Sequence, residues 1–474
     1  MIRLLPGPLP GTRRSTTLAA TLVLSLLAAP GAIQAADPAP PSAVRLTLRQ
    51  ALELGLERNV RVLLGDAQAA AARGAELQAA ARLRPQFRLE AGGSRQVIDL
   101  EAYGFPTAPG ESPLVGPYSV LDLRGAGEMV LFDAAARETV RAAGARADAA
   151  RWSAADARDL VVLACGNLYL RALAERGRIE AAAAELETAE AVDRLAHDRR
   201  DAGSAAALDL LRAGVELEAA RARETAARAG FEKAKLLLAH TIGLPPGSPL
   251  ELADELRFVD FSGVALPGLL ATARRSRADL QAAEARVTAA THAVTAARES
   301  RWPTLVARGD WGRIGPRVDS VETTWTIGAQ IRLPLLEGGA TEGRRIAAAA
   351  ELAARQAELD DLGRQVDVEV RSALLDLDTA SRLAASATAA RDLAGRQLEV
   401  ARDRFAAGLG DSLDVVSAQQ AVAAADEARL GSLYQHNAAK AVLARALGLA
   451  DEDFIAIFEG RTDDLSFLRS EPLR

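Results

Sequence analysis

The chain contains one sequence unit twice, and this duplication restricts the folds that it can adopt. The segment Gly203–Asp209 begins with glycine and ends in Leu-Asp, as does the segment Gly408–Asp414, 205 residues later. The pair Gly243-Leu244 recurs at the same offset as Gly448-Leu449. Two matches at one offset indicate an internal repeat. The fold must therefore be built from two equivalent units.

A second offset locates a difference between the two copies. Asn59 to Val62 corresponds to Arg277 to Leu280, and Pro85 to Pro303, both at a spacing of 218 residues. The change from 218 to 205 places about 13 extra residues in the first copy, between Pro85 and Gly203. The segment 101–118 is rich in Gly, Pro and Ser, which is typical of a solvent loop. We predict that this loop carries the insertion.

Each copy contains a proline-free stretch, 134–201 in the first and 340–406 in the second. Apolar or small residues recur every three or four positions from Leu359 to Ala387, as on one face of a helix. At 1.5 Å per residue each helix would be about 100 Å long. Gly203 and Gly408 are typical helix ends, so returning helices are predicted over 205–242 and 411–447. The sequence thus predicts two antiparallel hairpins with coiled-coil packing.

The segments before the long helices alternate with period two. From Thr323 to Leu333 one parity is apolar and includes Trp325 and Ile327, whereas the other parity is polar. This pattern predicts strands with one apolar and one polar face, at about 86–97, 119–132, 304–313 and 322–335. Their length suits strands that cross the outer membrane, and the tryptophans in the second pair suit its interfaces. An ordinary soluble sheet is the alternative.

Composition excludes several classes of function. Residues 1–35 have the layout of a signal peptide, which predicts export. The net charge of −6 does not favour a nucleic-acid partner. Cys165 is the single cysteine and the four histidines are far apart, so no metal site and no cofactor are predicted. No catalytic constellation is visible, and an enzyme is not expected.

Four strands cannot close into a barrel, and open strand edges in lipid leave backbone groups unpaired. Two copies of the chain would supply eight strands and three copies twelve. Helices of about 100 Å far exceed the ~30 Å membrane core, so they must stand in the periplasm. The sequence therefore predicts an oligomeric tube on a long helical stalk.

This arrangement resembles the TolC family of outer-membrane efflux proteins over about residues 44–450. The resemblance rests on the duplicated order, on Val130–Asp133 and Leu333–Gly339 before the long helices, on Arg277–Leu280, and on the turn Gly408–Asp414. It implies an α+β membrane protein that forms a homotrimer in outer-membrane lipid. In that trimer a 12-stranded transmembrane β-barrel is continuous with a periplasmic α-helical barrel.

The resemblance also implies a function. The channel would passively conduct substrate from a periplasmic adaptor and an inner-membrane pump of RND, ABC or MFS type, in efflux or type I secretion. A periplasmic coiled-coil scaffold or adaptor is the alternative. The predicted organisation is a first repeat at 36–244 with helix 44–83, an equatorial segment at 245–265, a second repeat at 266–449 with helix 266–299, and an equatorial tail at 450–474.

Family members narrow at the periplasmic end, where acidic residues line the aperture. By correspondence Asp209 and Asp414 match two of these acids. Ser417 stands where another aspartate is common, and Phe405 where a tyrosine often holds the closed state. The alternative for both aspartates is that they favour the first turn of a helix. The candidate adaptor contacts, for which helix capping is the alternative, are the tip residues Gly203, Ser204, Ala205, Gly408, Leu409 and Gly410.

Overall fold

The computed structural model describes residues 44–108, 110–202, 207–259, 265–407, 409–410, 412–449, 455–456 and 458. The predicted signal peptide, four of the tip residues and most of the predicted tail lie outside the described residues. Those four tip residues are Gly203, Ser204, Ala205 and Gly408.

The described chain is built from two series of helices and strands in the same order. The first series is β1 (Val44–Leu46), α1 (Leu48–Arg58), α2 (Val60–Ala81), β2 (Gln86–Asp99), β3 (Leu114–Phe132), α3 (Ala134–Asp201) and α4 (Ala207–Thr241). A short strand, β4 (Leu250–Leu252), follows. The second series is α5 (Leu266–Ser276), α6 (Ala278–Glu299), β5 (Thr304–Gly315), β6 (Glu322–Arg332), α7 (Ala340–Ala406) and α8 (Ser412–Ala446). Among the helices of the described residues, none is both long enough and apolar enough to cross a membrane.

The beginning of each copy differs from the predicted single helix. The helix expected over 44–83 is a strand and two helices that meet at Asn59, and the helix expected over 266–299 breaks at Arg277. Both residues have extended backbone, with ψ values of 131° and 120°. The side chain of Asn59 accepts a hydrogen bond from Arg61 N at 2.9 Å and so caps α2.

The strands also differ from prediction at their ends. β3 begins at Leu114 rather than near 119, and β2 continues to Asp99, so the extra residues of the first copy lengthen a strand pair as well as its loop. β6 ends at Arg332 rather than 335. Pro334 lies just beyond, and a proline cannot donate a backbone hydrogen bond to a ladder.

The strands of both copies form one antiparallel sheet in the order β2-β3-β5-β6. β3 pairs with β5, so the two copies share the sheet, and β2 and β6 are its edges. On one face Trp311 and Trp325 are register partners. The opposite face carries ion pairs, including Arg308 with Glu128 at 3.2 Å. The sheet therefore has one apolar and one charged face.

The main core lies where the short strands β1 and β4 pair in parallel beside the long helices. Tyr169 of α3 is fully buried there, and its hydroxyl lies 2.9 Å from Leu46 O and 2.8 Å from the carboxylate of Asp254. That carboxylate also accepts from Leu48 N at 2.7 Å. Burial raises the pKa of the Tyr169 hydroxyl above its ordinary value, so it stays protonated. These bonds tie β1 and the segment after β4 to α3.

The returning helices end in a way that explains the repeated Gly-Leu pair. Gly243 and Gly448 have φ values of +73° and +68°, the left-handed conformation that follows a helix. Leu244 N then donates to Ala239 O at 2.8 Å, and Leu449 N bonds the equivalent carbonyl at 3.0 Å. Both helices therefore stop with the same hydrogen-bonded turn.

The ends of the returning helices, which repeat at 205 residues, contact the breaks in the first helix pairs, which repeat at 218 residues. Asn59, at the break between α1 and α2, donates from Nδ2 to Thr241 O at 2.8 Å. In the second copy Ser276 donates from Oγ to Leu447 O at 2.5 Å. In each copy the returning helix thus ends against the break in that copy's first helix pair.

The break in the second copy contains a buried charged residue, Arg277. Its side chain is 3% exposed and forms ion pairs with Asp279 and Glu369, both at 2.6 Å. Burial disfavours the Asp279 carboxylate, but hydrogen bonds and charge from Arg277, with charge from Arg445, hold the pKa of Asp279 below its usual range. The ionised pair joins the start of α6 to α7.

Candidate functional site

The two hairpins contact each other near their tips through a small apolar cluster. Phe405 of α7 lies within it and is 4% exposed, so this predicted gate residue is covered by both hairpins. The buried members of the cluster are Val192, Ala196, Ala213, Leu398, Phe405, Val415 and Ala418.

Arg199 of α3 crosses between the hairpins at this cluster. Its guanidinium carbon lies 4.3 Å from the centre of the Phe405 ring, within the range of a cation–π interaction. Its Nη2 donates to Phe405 O and, at 3.1 Å, to Ala406 O. These are final carbonyls of α7, where a positive charge is favoured by the helix dipole. Sequence reasoning missed Arg199.

The repeat offered a signal for this residue. Arg199 and Arg404 are 205 residues apart and so occupy equivalent positions. Arg404 bonds within its own tip, where its Nη2 donates to Leu409 O at 3.4 Å. The first-copy arginine instead reaches across to the second hairpin, and this asymmetry follows from tertiary packing.

Asp209 also connects the hairpins. It lies in the first turn of α4, its side chain is 21% exposed, and it accepts a hydrogen bond from Ser412 Oγ at the start of α8. Arg212 lies 4.0 Å away on the same helix. An acid in the first turn is favoured by the helix dipole, so a helix-terminal role and a contact between hairpins are both compatible with this position.

The other two predicted gate residues lie at the surface. Asp414 and Ser417 are exposed on the first turns of α8, and Ser417 Oγ donates to Asp414 O at 3.0 Å within that helix. Leu409, a described tip residue, is 74% exposed, and the half-buried Gly410 follows it. The structure thus brings Asp209 and Phe405 into the contact between hairpins and leaves Asp414 and Ser417 at the surface.

A cleft of about 930 Å³ separates the hairpins above the tip contact and is lined by α3, α4, α7 and α8. Its α3 lining runs from Glu175 to Thr188, about 20 to 40 Å from the end of that helix at 1.5 Å per residue. Arg178 bridges the cleft to Glu427 with bonds of 2.6 and 2.8 Å. Between the main core and the tips, the hairpins are therefore not packed continuously.

The apolar face of the sheet is exposed. Ile327 is 80% exposed and Phe87 85% exposed. Isolated exposed apolar side chains are common, but a contiguous patch marks a surface that contacts lipid or protein. Large exposed side chains on this face include Phe87, Leu89, Leu123, Trp311, Trp325, Ile327 and Ile331.

Comparison with known proteins gives consistent matches. The family described as outer membrane efflux protein matches residues 269–449. Protein CyaE of Bordetella pertussis is 30% identical over 354 residues, which are 72% of this chain and 72% of CyaE. The probable efflux pump outer membrane protein TtgC of Pseudomonas putida is 25% identical over 394 residues, 78% of this chain and 76% of TtgC.

The outer membrane protein VceC from Vibrio cholerae has a similar crystal structure. The two superpose with a TM-score of 0.74 at 22% identity, covering 85% of this chain and 97% of that of VceC. At this identity the likeness concerns the fold.

Proposed function

The chain belongs to the outer membrane efflux protein family, and from this premise we propose that three copies form one continuous conduit. It is an outer-membrane efflux channel and not an enzyme. The observation that carries the trimer is the sheet, which has one apolar and one charged face and two unpaired edges in the described chain. The scaffold or adaptor alternative is not favoured, because matched relatives are named as outer-membrane proteins.

Closure of the sheet supports the proposed trimer. Within lipid, every backbone N–H and C=O must be paired, so β2 of one copy must pair with β6 of the next. Three copies give twelve strands, a number compatible with an open lumen, and the charged face would then line the lumen.

The helices offer a second contact for neighbouring copies. On α7, opposite its buried stripe, Val368 and Leu375 are 65% and 68% exposed, and Leu393 and Val400 are 65% and 58% exposed. Each pair is seven residues apart, the spacing of a coiled-coil seam. We infer that a second copy of the chain covers this seam.

Cross-linking of the detergent-solubilised protein tests the assembly. We expect the limiting product to have three times the mass of the processed chain, recovered from the outer-membrane fraction. A product limited to dimers would support the eight-stranded alternative, and recovery of the protein as a soluble periplasmic monomer would rule out the conduit.

We propose that the periplasmic tips receive substrate from an adaptor and an inner-membrane pump. TtgC is named as part of an efflux pump, and Leu409 presents an exposed apolar side chain beside Gly410 at one tip. The proposed contacts are this tip and its counterpart Gly203, Ser204 and Ala205. A photo-reactive residue at Leu409 should cross-link a periplasmic adaptor protein in cells, whereas one at Leu335, beside the membrane, should not.

We further propose that the tips form a gate held by contacts between the hairpins. Arg199 with Phe405, and Asp209 with Ser412, would keep the tips together, and along the cleft above them the hairpins are not packed against each other. The exposed Asp414 and its neighbour Ser417 are proposed to face the aperture and attract cations.

Replacing Arg199 with glutamine is expected to raise the resting conductance in planar bilayers about tenfold. Hydrogen bonds from a charged donor contribute about 1.5 to 3 kcal/mol, and about 1.4 kcal/mol changes an equilibrium tenfold. The matched control is Arg200→Gln, because Arg200 is exposed, carries the same charge and lies one residue away. Equal currents in both variants would show that Arg199 does not hold the gate.

Substitutions of the two aspartates are expected to have different effects in the same bilayer recordings. Asp209→Asn weakens the contact with Ser412 and is expected to raise conductance, whereas Asp414→Asn should instead weaken block by divalent cations. If currents and divalent-cation block are unchanged in both variants, the two aspartates do not act in a gate. They then serve only to stabilise the first turns of α4 and α8.

A further inference from the structure

Four arginines lie at the two junctions where a helix leads into a strand of the sheet. Arg82 and Arg84 lie between α2 and β2, and Arg298 and Arg301 lie at the equivalent junction between α6 and β5. All four are exposed, and within the described part of the chain none pairs with an acidic side chain. Glu299, half-buried, is the acid at these junctions. Both junctions therefore carry a net positive charge.

Two strand-to-helix junctions lie on the same side of the sheet, and the one between β6 and α7 is different. Between β6 and α7, Arg344 pairs with Glu337 at 2.6 Å and Arg345 pairs with Glu342. Hydrogen bonds from Thr341 and Arg344 hold the pKa of Glu337 below the usual range, and a hydrogen bond from Arg345 does the same for Glu342. The chain thus supplies its own anions at the β6–α7 junction and fewer of them at the two helix-to-strand junctions.

The junction arginines lie at the boundary of the apolar face. Phe87, 85% exposed, follows Arg84 by three residues, which is at most about 10 Å of extended chain. Trp302, 52% exposed, immediately precedes Pro303 in the second copy, as Arg84 precedes Pro85 in the first. Tryptophan at the edge of an apolar band is typical of the membrane–water interface.

We propose that these arginines bind the phosphate groups of anionic glycerophospholipids at the periplasmic surface of the outer membrane. The inference rests on the proposed barrel, which sets the apolar face in lipid. Arginine matches phosphate oxygens with two parallel hydrogen bonds. A lipid is favoured over free phosphate because Phe87 and Trp302 would contact the glycerol and acyl groups of the same molecule. Three copies would place twelve such arginines around the tube.

Native mass spectrometry of the detergent-solubilised trimer tests the site, with phosphatidylglycerol and phosphatidylcholine as probes. We expect phosphatidylglycerol to bind about tenfold more tightly, with the preference falling as salt rises. A variant with Arg82, Arg84, Arg298 and Arg301 all replaced by glutamine should lose the preference. Its control replaces four exposed arginines of the helices that also lack an acidic partner among the described residues, Arg61, Arg171, Arg275 and Arg371, and should keep it.

Three outcomes would overturn the proposal: equal affinity for the two lipids in the unmodified protein, equal loss of preference in both variants, or displacement of the lipid by inorganic phosphate at the same concentration. If the glutamine variant does not assemble, the corresponding lysine variant keeps the charge and should keep a weaker preference. Conductance in phosphatidylcholine bilayers distinguishes failure of the lipid site from failure of the proposed conduit. If trimers conduct but bind the two lipids equally, only the lipid site is ruled out. If no trimers form, the conduit is ruled out as well.

Discussion

Replacing Ile327 with arginine is expected to reduce the amount of trimer in the outer membrane by more than tenfold. Ile327 is 80% exposed on the apolar face of β6, opposite Gly309 of β5. An arginine facing lipid near the bilayer midplane costs about 2 to 4 kcal/mol, and a trimer would carry this cost three times. Immunoblotting of the outer-membrane fraction under conditions that preserve the trimer measures the effect.

The preceding residue provides the control. Thr326 lies on the opposite face of the same strand and is the register partner of Asp310, which pairs with Arg124. Thr326→Arg should therefore assemble at nearly the normal level and alter the conductance or ion selectivity of the lumen. If the two variants assembled equally well, or if Thr326→Arg were the more damaging, the apolar face would not be the one that meets lipid.

Periodicity carried most of what could be predicted about this fold. The alternation from Thr323 to Leu333 has its counterpart in β6, because side chains of a strand point to opposite faces. The stripe along α7 from Val366 to Ala384 is buried, because residues three and four apart share one face of a helix. Both signals are local, so one sequence was sufficient to read them.

The contacts that the sequence did not reveal join residues that are far apart along the chain. Arg199 and Phe405 are 206 residues apart, and no local pattern distinguishes this arginine from Arg200. The break at Asn59 was missed because its extended backbone is stabilised partly by Thr241 O, which belongs to another helix. The repeat is the exception, because its offsets pair distant residues by sequence alone.

Replacing Gly448 with alanine is expected to destabilise the folded chain by about 3 to 5 kcal/mol and to reduce the yield of assembled protein severely. A Cβ at this position would lie 2.7 Å from Arg277 N and 2.8 Å from Arg277 Cα. The left-handed backbone, at φ +68°, adds roughly 1 to 2 kcal/mol for a residue with a side chain. Because the obstructing atoms are backbone, the helix break would have to move. Thermal unfolding of the purified trimer and its outer-membrane yield measure the effect.

Two further glycines decide whether this cost comes from the docked turn. Gly243 is the equivalent residue of the first copy, and a Cβ there would lie 2.5 Å from Arg58 Cβ, so Gly243→Ala should also destabilise. Gly343 is exposed on α7, and a Cβ added there would meet no atom within 4 Å. Alanine at that position should therefore stabilise the helix by about 0.5 to 1 kcal/mol. If all three variants behaved alike, the turns would not need glycine. If only Gly448→Ala and Gly243→Ala are destabilised, the repeated Gly-Leu pair persists in both copies because each returning helix must end directly against a break in the backbone of another helix pair.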